Sequence, residues 1–134
     1  MAELSAELFE STLRGLRGDS VHNRKHPRAP MRMKMKLFPV ERHGVGKPRE
    51  VWTRDLSTGG IGLLSAETMR AGSTFIVRLP REDHQFLCLL CTVQNCVAQA
   101  GGVHVVGASF VEITQSAKAT ADDEVQRISQ AVLG

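Results

Sequence analysis

Tyrosine is absent from this 134-residue chain, and aromatic residues make up only 4% of it. Platforms on which the bases of a single-stranded nucleic acid could stack are therefore scarce. No apolar run approaches the ~20 residues that a helix needs to cross a bilayer. The acidic start, Met1-Ala2-Glu3-Leu4, has neither the basic opening nor the apolar stretch of a signal peptide. These absences point to a cytoplasmic protein without membrane insertion. Cysteine is sparse and odd in number: Cys88, Cys91 and Cys96 sit among Leu and Val, as reduced core thiols do. The Cys-x-x-Cys spacing at 88 and 91 raises a zinc reading. In a buried strand, however, positions three apart face opposite sides, and a second ligand pair is missing. The five histidines, His22, His26, His43, His84 and His104, show no metal-like spacing and none adjoins a nucleophile. No carboxylate pair or Ser/His/Asp arrangement stands out, so neither a metal, nor a cofactor, nor enzymatic activity is expected.

What is present is an ordinary globular composition, 42% apolar and 23% charged, at a length suited to one domain. The net charge of +3 hides an asymmetry: residues 1–20 are net −2, residues 21–54 net +8 and residues 55–134 net −3. Basic charge gathered in one stretch implies an anionic partner that meets a local patch.

Leu4, Leu8, Phe9, Leu13 and Leu16 recur at helical spacing and predict an amphipathic helix over 1–18, either docked on the body, as apolar stripes normally are, or used to contact a partner. Residues 19–30 hold Pro27 and Pro30 without periodicity and read as an exposed basic arm. Met31 to Leu37 alternates apolar and basic residues, a half-buried strand with methionines inward and cations outward. Further strands are expected at 49–57, 60–64, 73–79, 86–99 and 103–113, punctuated by Gly59-Gly60, Ala71-Gly72, Arg81-Glu82-Asp83 and Gly101-Gly102. Short turns without intervening helices suggest a small antiparallel barrel or sandwich over 31–115. Asp122, Asp123 and Glu124 precede an apolar stripe of Val125, Ile128, Val132 and Leu133, which predicts a closing helix over 116–134.

Two motifs carry the chemistry. Arg24-Lys25-His26-Pro27-Arg28 sets two guanidiniums four positions apart in a segment that Pro27 keeps out of helical angles. Each planar fork can bond two phosphate oxygens, or the O6 and N7 edge of guanine, or stack on a purine. Asp55-Leu56-Ser57-Thr58-Gly59-Gly60 follows at the end of a strand. Asp55 and Ser57 share one face, and Trp52 and Leu56 the opposite, core face. A carboxylate only accepts hydrogen bonds, and the N1–H and N2–H₂ groups of guanine only donate, so Asp55 can read guanine where adenine does not fit. Ser57 offers a donor to phosphate or base. Gly59 and Gly60 permit positive φ and close approach of backbone to a ligand. Each motif alone also has a bland reading, as a basic loop or a β-turn.

Together, Arg24…Arg28 and Asp55-x-Ser57-x-x-Gly60 resemble the signature of PilZ domains, bacterial receptors for cyclic di-GMP. The order and the interval of 27 positions from Arg28 to Asp55 agree. So do Ile61-Gly62-Leu63 after the glycines and the late Gly-x-x-Phe strand in Val106-Gly107-Ala108-Ser109-Phe110. The resemblance covers roughly residues 22–113. It implies a mainly all-β fold, a six-stranded antiparallel barrel with a C-terminal helix, to which the sequence adds a short N-terminal helix. It implies that Arg24 and Arg28 grip the phosphates and guanine edges, that Asp55 and Ser57 contact a guanine, and that Gly60 shapes the turn. Asn23, Lys25, His26 and Gly59 are secondary candidates; His26 can stack on a base, or is simply a solvated loop histidine. Some family members carry a further arginine where Asn23 stands, and there it helps to hold a stacked ligand dimer. One or two ligands per chain thus remain open.

The expected function is that of a cyclic di-GMP receptor. Its basic arm, self-repelling when empty, orders on a dianionic ligand and then engages a downstream protein. The alternatives are an interaction module of the same fold that binds no nucleotide, and a nucleic-acid-binding domain using the +8 stretch. Intact motifs argue against the first and scarce aromatics against the second.

Overall fold

The computed structural model describes residues 2–17, 28–30, 33–42, 44–80 and 85–117. Its elements in chain order are α1 (Ala6–Arg17), β1 (Arg28–Pro30), β2 (Lys34–Glu41), β3 (Gly44–Val45), β4 (Arg49–Ser57), β5 (Gly60–Ser65), β6 (Thr74–Pro80), β7 (Gln85–Ala98) and β8 (His104–Ala117). Neighbouring strands run β4-β5-β8-β7-β6-β2, all antiparallel, and β2 returns to pair with β4. The result is a closed six-stranded barrel, which removes the open edges that a small sheet would otherwise expose. The short β3 folds back on β2, and β1 pairs with the far half of β4.

The patterning of the strands produces this closure. Along β2, Lys34 and Lys36 are exposed and Leu37 is fully buried, the alternation of a half-buried strand. β6 reads Phe-Ile-Val-Arg-Leu and is covered on both sides. Phe75, Val77 and Leu79 fill the barrel, while Ile76 joins Cys88 and Leu90 in a second cluster with Phe38, Val40 and Val45. Cys88 and Cys91 thus lie on opposite faces of β7, as the three-residue spacing requires, and none of the three cysteines is in a disulfide. Burial drives the Cys91 thiol far above its ordinary range, which keeps it protonated and unreactive.

The N-terminal helix docks, as its apolar stripe predicts. The Ser5 hydroxyl accepts the Leu8 N–H at 3.2 Å, an N-cap that starts α1. Leu4 and Phe9 join the barrel core, and Thr12, fully buried, donates to the Leu8 carbonyl at 2.7 Å. The segment before the helix is strapped down by Ala2 N–H donating to the Phe110 carbonyl at 3.1 Å and Leu4 N–H donating to the Thr58 carbonyl at 2.7 Å. The helix therefore closes the end of the barrel at which the Asp55 motif turns.

Three expectations need correction. Arg28–Pro30 form a strand rather than part of a free arm, because β2 covers β4 only as far as Trp52 and leaves the backbone beyond it to be paired. The last strand runs to Ala117, not 113, because Gln85 of the long β7 is still opposite Ala117; the closing helix cannot begin at 116. Its remaining residues, 118–134, lie outside the described residues, as do residues 19–27 of the arm.

The third correction concerns Trp52, which is 47% exposed rather than part of the core. Thr53 pairs with Leu63 but Asp55 pairs with Gly62, so Arg54 is an extra residue, a β-bulge. A bulge reverses the inward–outward parity beyond it. Val51 and Thr53 point in before it and Leu56 after it, leaving Trp52, Asp55 and Ser57 together on the outer face. Truncation of this tryptophan is accordingly expected to be mild. Where a buried aromatic loses about 3–5 kcal/mol on replacement by alanine, Trp52→Ala is expected to lose less than about 1.5 kcal/mol in urea unfolding.

Candidate functional site

The Asp-x-Ser-x-x-Gly motif spans the end of β4, a two-residue turn and the start of β5. Its backbone is fixed from three sides. The Ser57 hydroxyl donates to the Gly60 carbonyl at 3.2 Å, the Gly59 carbonyl accepts the Phe110 N–H at 3.0 Å, and the Thr58 carbonyl accepts the Leu4 N–H. Gly60 itself does not have the left-handed backbone its residue type suggests; among the described glycines only Gly44, Gly72, Gly101 and Gly102 have positive φ. A Cβ at Gly60 would instead run into the Ala108 carbonyl of β8. At this position glycine is required by the close approach of two strands. Gly59 is open, its nearest neighbour being the Glu3 carboxylate at 3.9 Å from a built Cβ.

β1 pairs antiparallel with the motif, Arg28 opposite Ser57, Ala29 opposite Leu56 and Pro30 opposite Asp55. The backbone at the end of the first motif thus lies one strand away from the second. Asp55 sits between Pro30 and Gly62, only 8% exposed. The absent side chain of Gly62 makes the space for it: a Cβ there would meet the Asp55 Oδ1 at 2.7 Å.

The same register continues across the barrel surface. Asp55 of β4 opposes Gly62 of β5, Gly62 opposes Gly107 of β8, and Gly107 opposes Asn95 of β7. This row has polar ends and a floor of two glycines. It forms a trough of about 160 Å³, lined further by Arg54, Gly60 and Val105. The trough is smaller than the roughly 300–1,000 Å³ of a pocket that engulfs a small ligand, so it suits one moiety of a larger molecule. A bigger cleft of about 430 Å³ lies at Pro39, Lys47 and Glu67. No residue of either motif lines it, and it holds an ion pair between Arg49 and Glu67 at 3.2 Å.

Of the residues singled out from sequence, the structure brings together Asp55, Ser57, Gly59 and Gly60, with the backbone of Arg28 beside them. Asn23, Arg24, Lys25 and His26 lie outside the described residues. Gly62, Asn95 and Gly107 were not foreseen as part of a site. No local signal marked either polar end: only in the structure are Val51 and Leu56, five positions apart, both inward, and Val93 and Cys96, three apart, both packed in the core. Odd spacings between inward residues require a bulge in each strand.

A model of the PilZ domain matches residues 22–127. No curated protein matches the chain. Among solved structures, it is similar to that of the Bacillus subtilis inhibitor of motility (MotI/DgrA), with a TM-score of 0.52 and 16% identity, over 83% of this chain and 51% of that one. The chain spans about half the length of that protein, and at this identity the likeness concerns the fold. With both motifs inside the matched segment and a closed six-stranded antiparallel barrel beneath them, the chain belongs to the PilZ domain family.

Proposed function

We propose that the chain is a cyclic di-GMP receptor that passes the signal to a downstream protein and catalyses no reaction. The observation that carries this reading is the pairing of β1 with the motif strand, which sets Arg28 opposite Ser57 and Pro30 opposite Asp55. A guanine enters the trough with its N1–H and N2–H₂ groups toward Asp55, while Arg28 and Arg24 take the phosphates and the O6/N7 edge. The trough holds one base, and the remainder of the dianion lies over residues 19–28, whose charge it neutralises. Binding orders the arm, and the ordered arm beside the docked N-terminal helix is the surface the partner meets. Limited proteolysis is expected to cut the arm more slowly once ligand is added; equal rates would remove the ordering step.

Calorimetric titration at moderate, fixed salt tests the reading itself. Cyclic di-GMP is expected to bind the wild type with micromolar or tighter affinity. Loss of one charge-assisted contact, about 1.5–3 kcal/mol, predicts roughly 10- to 100-fold weaker binding for Arg28→Ala and for Asp55→Ala. The fitted stoichiometry decides between one and two ligands per chain. No binding by the wild type would refute the receptor reading and leave a protein-interaction module.

A further inference from the structure

The far end of the trough carries chemistry that neither motif accounts for. We infer that Asn95 is a ligand-contacting residue that reads the base together with Asp55; the inference rests on the cyclic di-GMP reading above. β7 pairs Val93 with Ala108 but Asn95 with Gly107, so Gln94 is the extra residue of a second bulge. Val93 is buried and Cys96 packs against the core, so the bulge turns Asn95 outward. A bulge on β4 does the same for Asp55. Each polar side chain then lies over a glycine of the adjacent strand. A Cβ at Gly62 would meet the Asp55 Oδ1 at 2.7 Å, and one at Gly107 would meet the Asn95 amide, Oδ1 at 2.9 Å and Nδ2 at 3.3 Å. Gly62 and Gly107 are direct partners, about 4.8 Å apart across the ladder. The carboxylate and the amide therefore stand about one strand spacing from each other on the same surface.

That spacing and that pair of groups match one edge of guanine. Its O6 acceptor sits beside the N1–H and N2–H₂ donors. A carboxylate takes the donors, and an amide N–H supplies the acceptor. Adenine presents the reverse order, an exocyclic donor beside an acceptor, and meets Asp55 with its bare N1. Asp55 discriminates, rewarding the guanine donors and facing the bare N1 of adenine with a second acceptor; the Asn95 N–H adds a contact to O6 that only a base held by Asp55 in this register can make. The exposed Asn95 side chain has no packing role that demands an amide. The Gln94 amide next to it, by contrast, is engaged with the Ser109 hydroxyl at 2.7 Å.

The test compares cyclic di-GMP with cyclic di-AMP by calorimetry on the wild type, Asn95→Ala and Asn95→Gln, with thermal midpoints recorded for each. Asn95→Ala is expected to weaken cyclic di-GMP binding about fivefold to tenfold, to leave cyclic di-AMP binding unchanged or improved, and to keep the midpoint. Asn95→Gln, which keeps the amide, is expected to recover part of the selectivity. Unchanged cyclic di-GMP affinity in Asn95→Ala would overturn the assignment while leaving the receptor reading intact. Equal losses for both ligands would also overturn it, since they would mean a structural effect. A wild type that binds neither nucleotide would remove the receptor reading, and this assignment with it.

Discussion

Replacement of Gly60 by alanine is expected to lower the unfolding free energy by about 3 kcal/mol, a loss of the size that overpacking between backbones produces. The new methyl would occupy the place of the Ala108 carbonyl, and no side chain stands between them to move away. Relief requires parting β5 from β8 at the rungs Gly60–Ser109 and Ile61–Ala108. The disturbance would not stay local. The Phe110 N–H donates to the Gly59 carbonyl, and the Phe110 carbonyl accepts the Ala2 N–H, so the strap of the N-terminal helix is tied to the same rungs. Phe110 itself is fully buried in the core. At this chain length a loss of that size corresponds to a fall of roughly 10 °C in Tm. Gly60→Asn separates this explanation from the usual one for turn glycines. Asparagine tolerates left-handed backbone, so it would rescue a positive-φ site, but it brings the same Cβ. Both variants are therefore expected to melt early, and a midpoint for either within about 2 °C of the wild type would reject the close-approach argument.

The motif turn illustrates what the residues disclosed and what they withheld. The strands were legible because apolar alternation and glycine-rich turns are local signals. The motif was legible through its pairing: carboxylate, hydroxyl and glycine at that spacing alone read as a β-turn, and only the ordered set with Arg24 and Arg28 is specific. The docking of the helix followed from its stripe, as Leu4 and Phe9 in the core attest. The bulges were not read, because Trp52 and Leu56 offered a regular strand that satisfied the period, and nothing local prefers Val51 and Leu56 as the inward pair. That one extra residue, Arg54, moved the only tryptophan from the core to the surface. The glycines of the trough were hidden for a different reason. Gly62 and Gly107 matter through side chains that lie over them from other strands, Asp55 and Asn95, and such non-local register is set by barrel closure rather than by any window of sequence. Gly60 was expected to permit positive φ and close approach to a ligand; its φ is not positive, and the group that a Cβ there would meet is the carbonyl of Ala108, on a strand no local window names.

Gly107→Leu separates the site from the scaffold. Gly107 faces outward on β8 between Gly62 and Asn95, and the atoms nearest to a built Cβ there belong to the amide of the exposed Asn95 side chain, at 2.9 Å or more. A surface side chain of that kind can swing away, and a strand interior gains order when glycine is replaced. Stability is therefore expected to stay within about 1 kcal/mol of the wild type. The trough is a different matter, because its floor consists of Gly62 and Gly107 and its whole volume is about 160 Å³. A leucine side chain would stand on that floor and occupy the space beside Asp55 and Asn95. A purine could then no longer bring one edge to Asp55 and Asn95 over the glycine floor. Cyclic di-GMP binding is expected to weaken by more than 100-fold, equivalent to about 2.7 kcal/mol, with the urea midpoint preserved. Gly107→Ala, which adds one methyl, is expected to fall between the two. Full retention of binding in Gly107→Leu, in a protein that melts like the wild type, would move the ligand off the glycine floor. A site built from the arm and the turn alone would then have to account for the affinity.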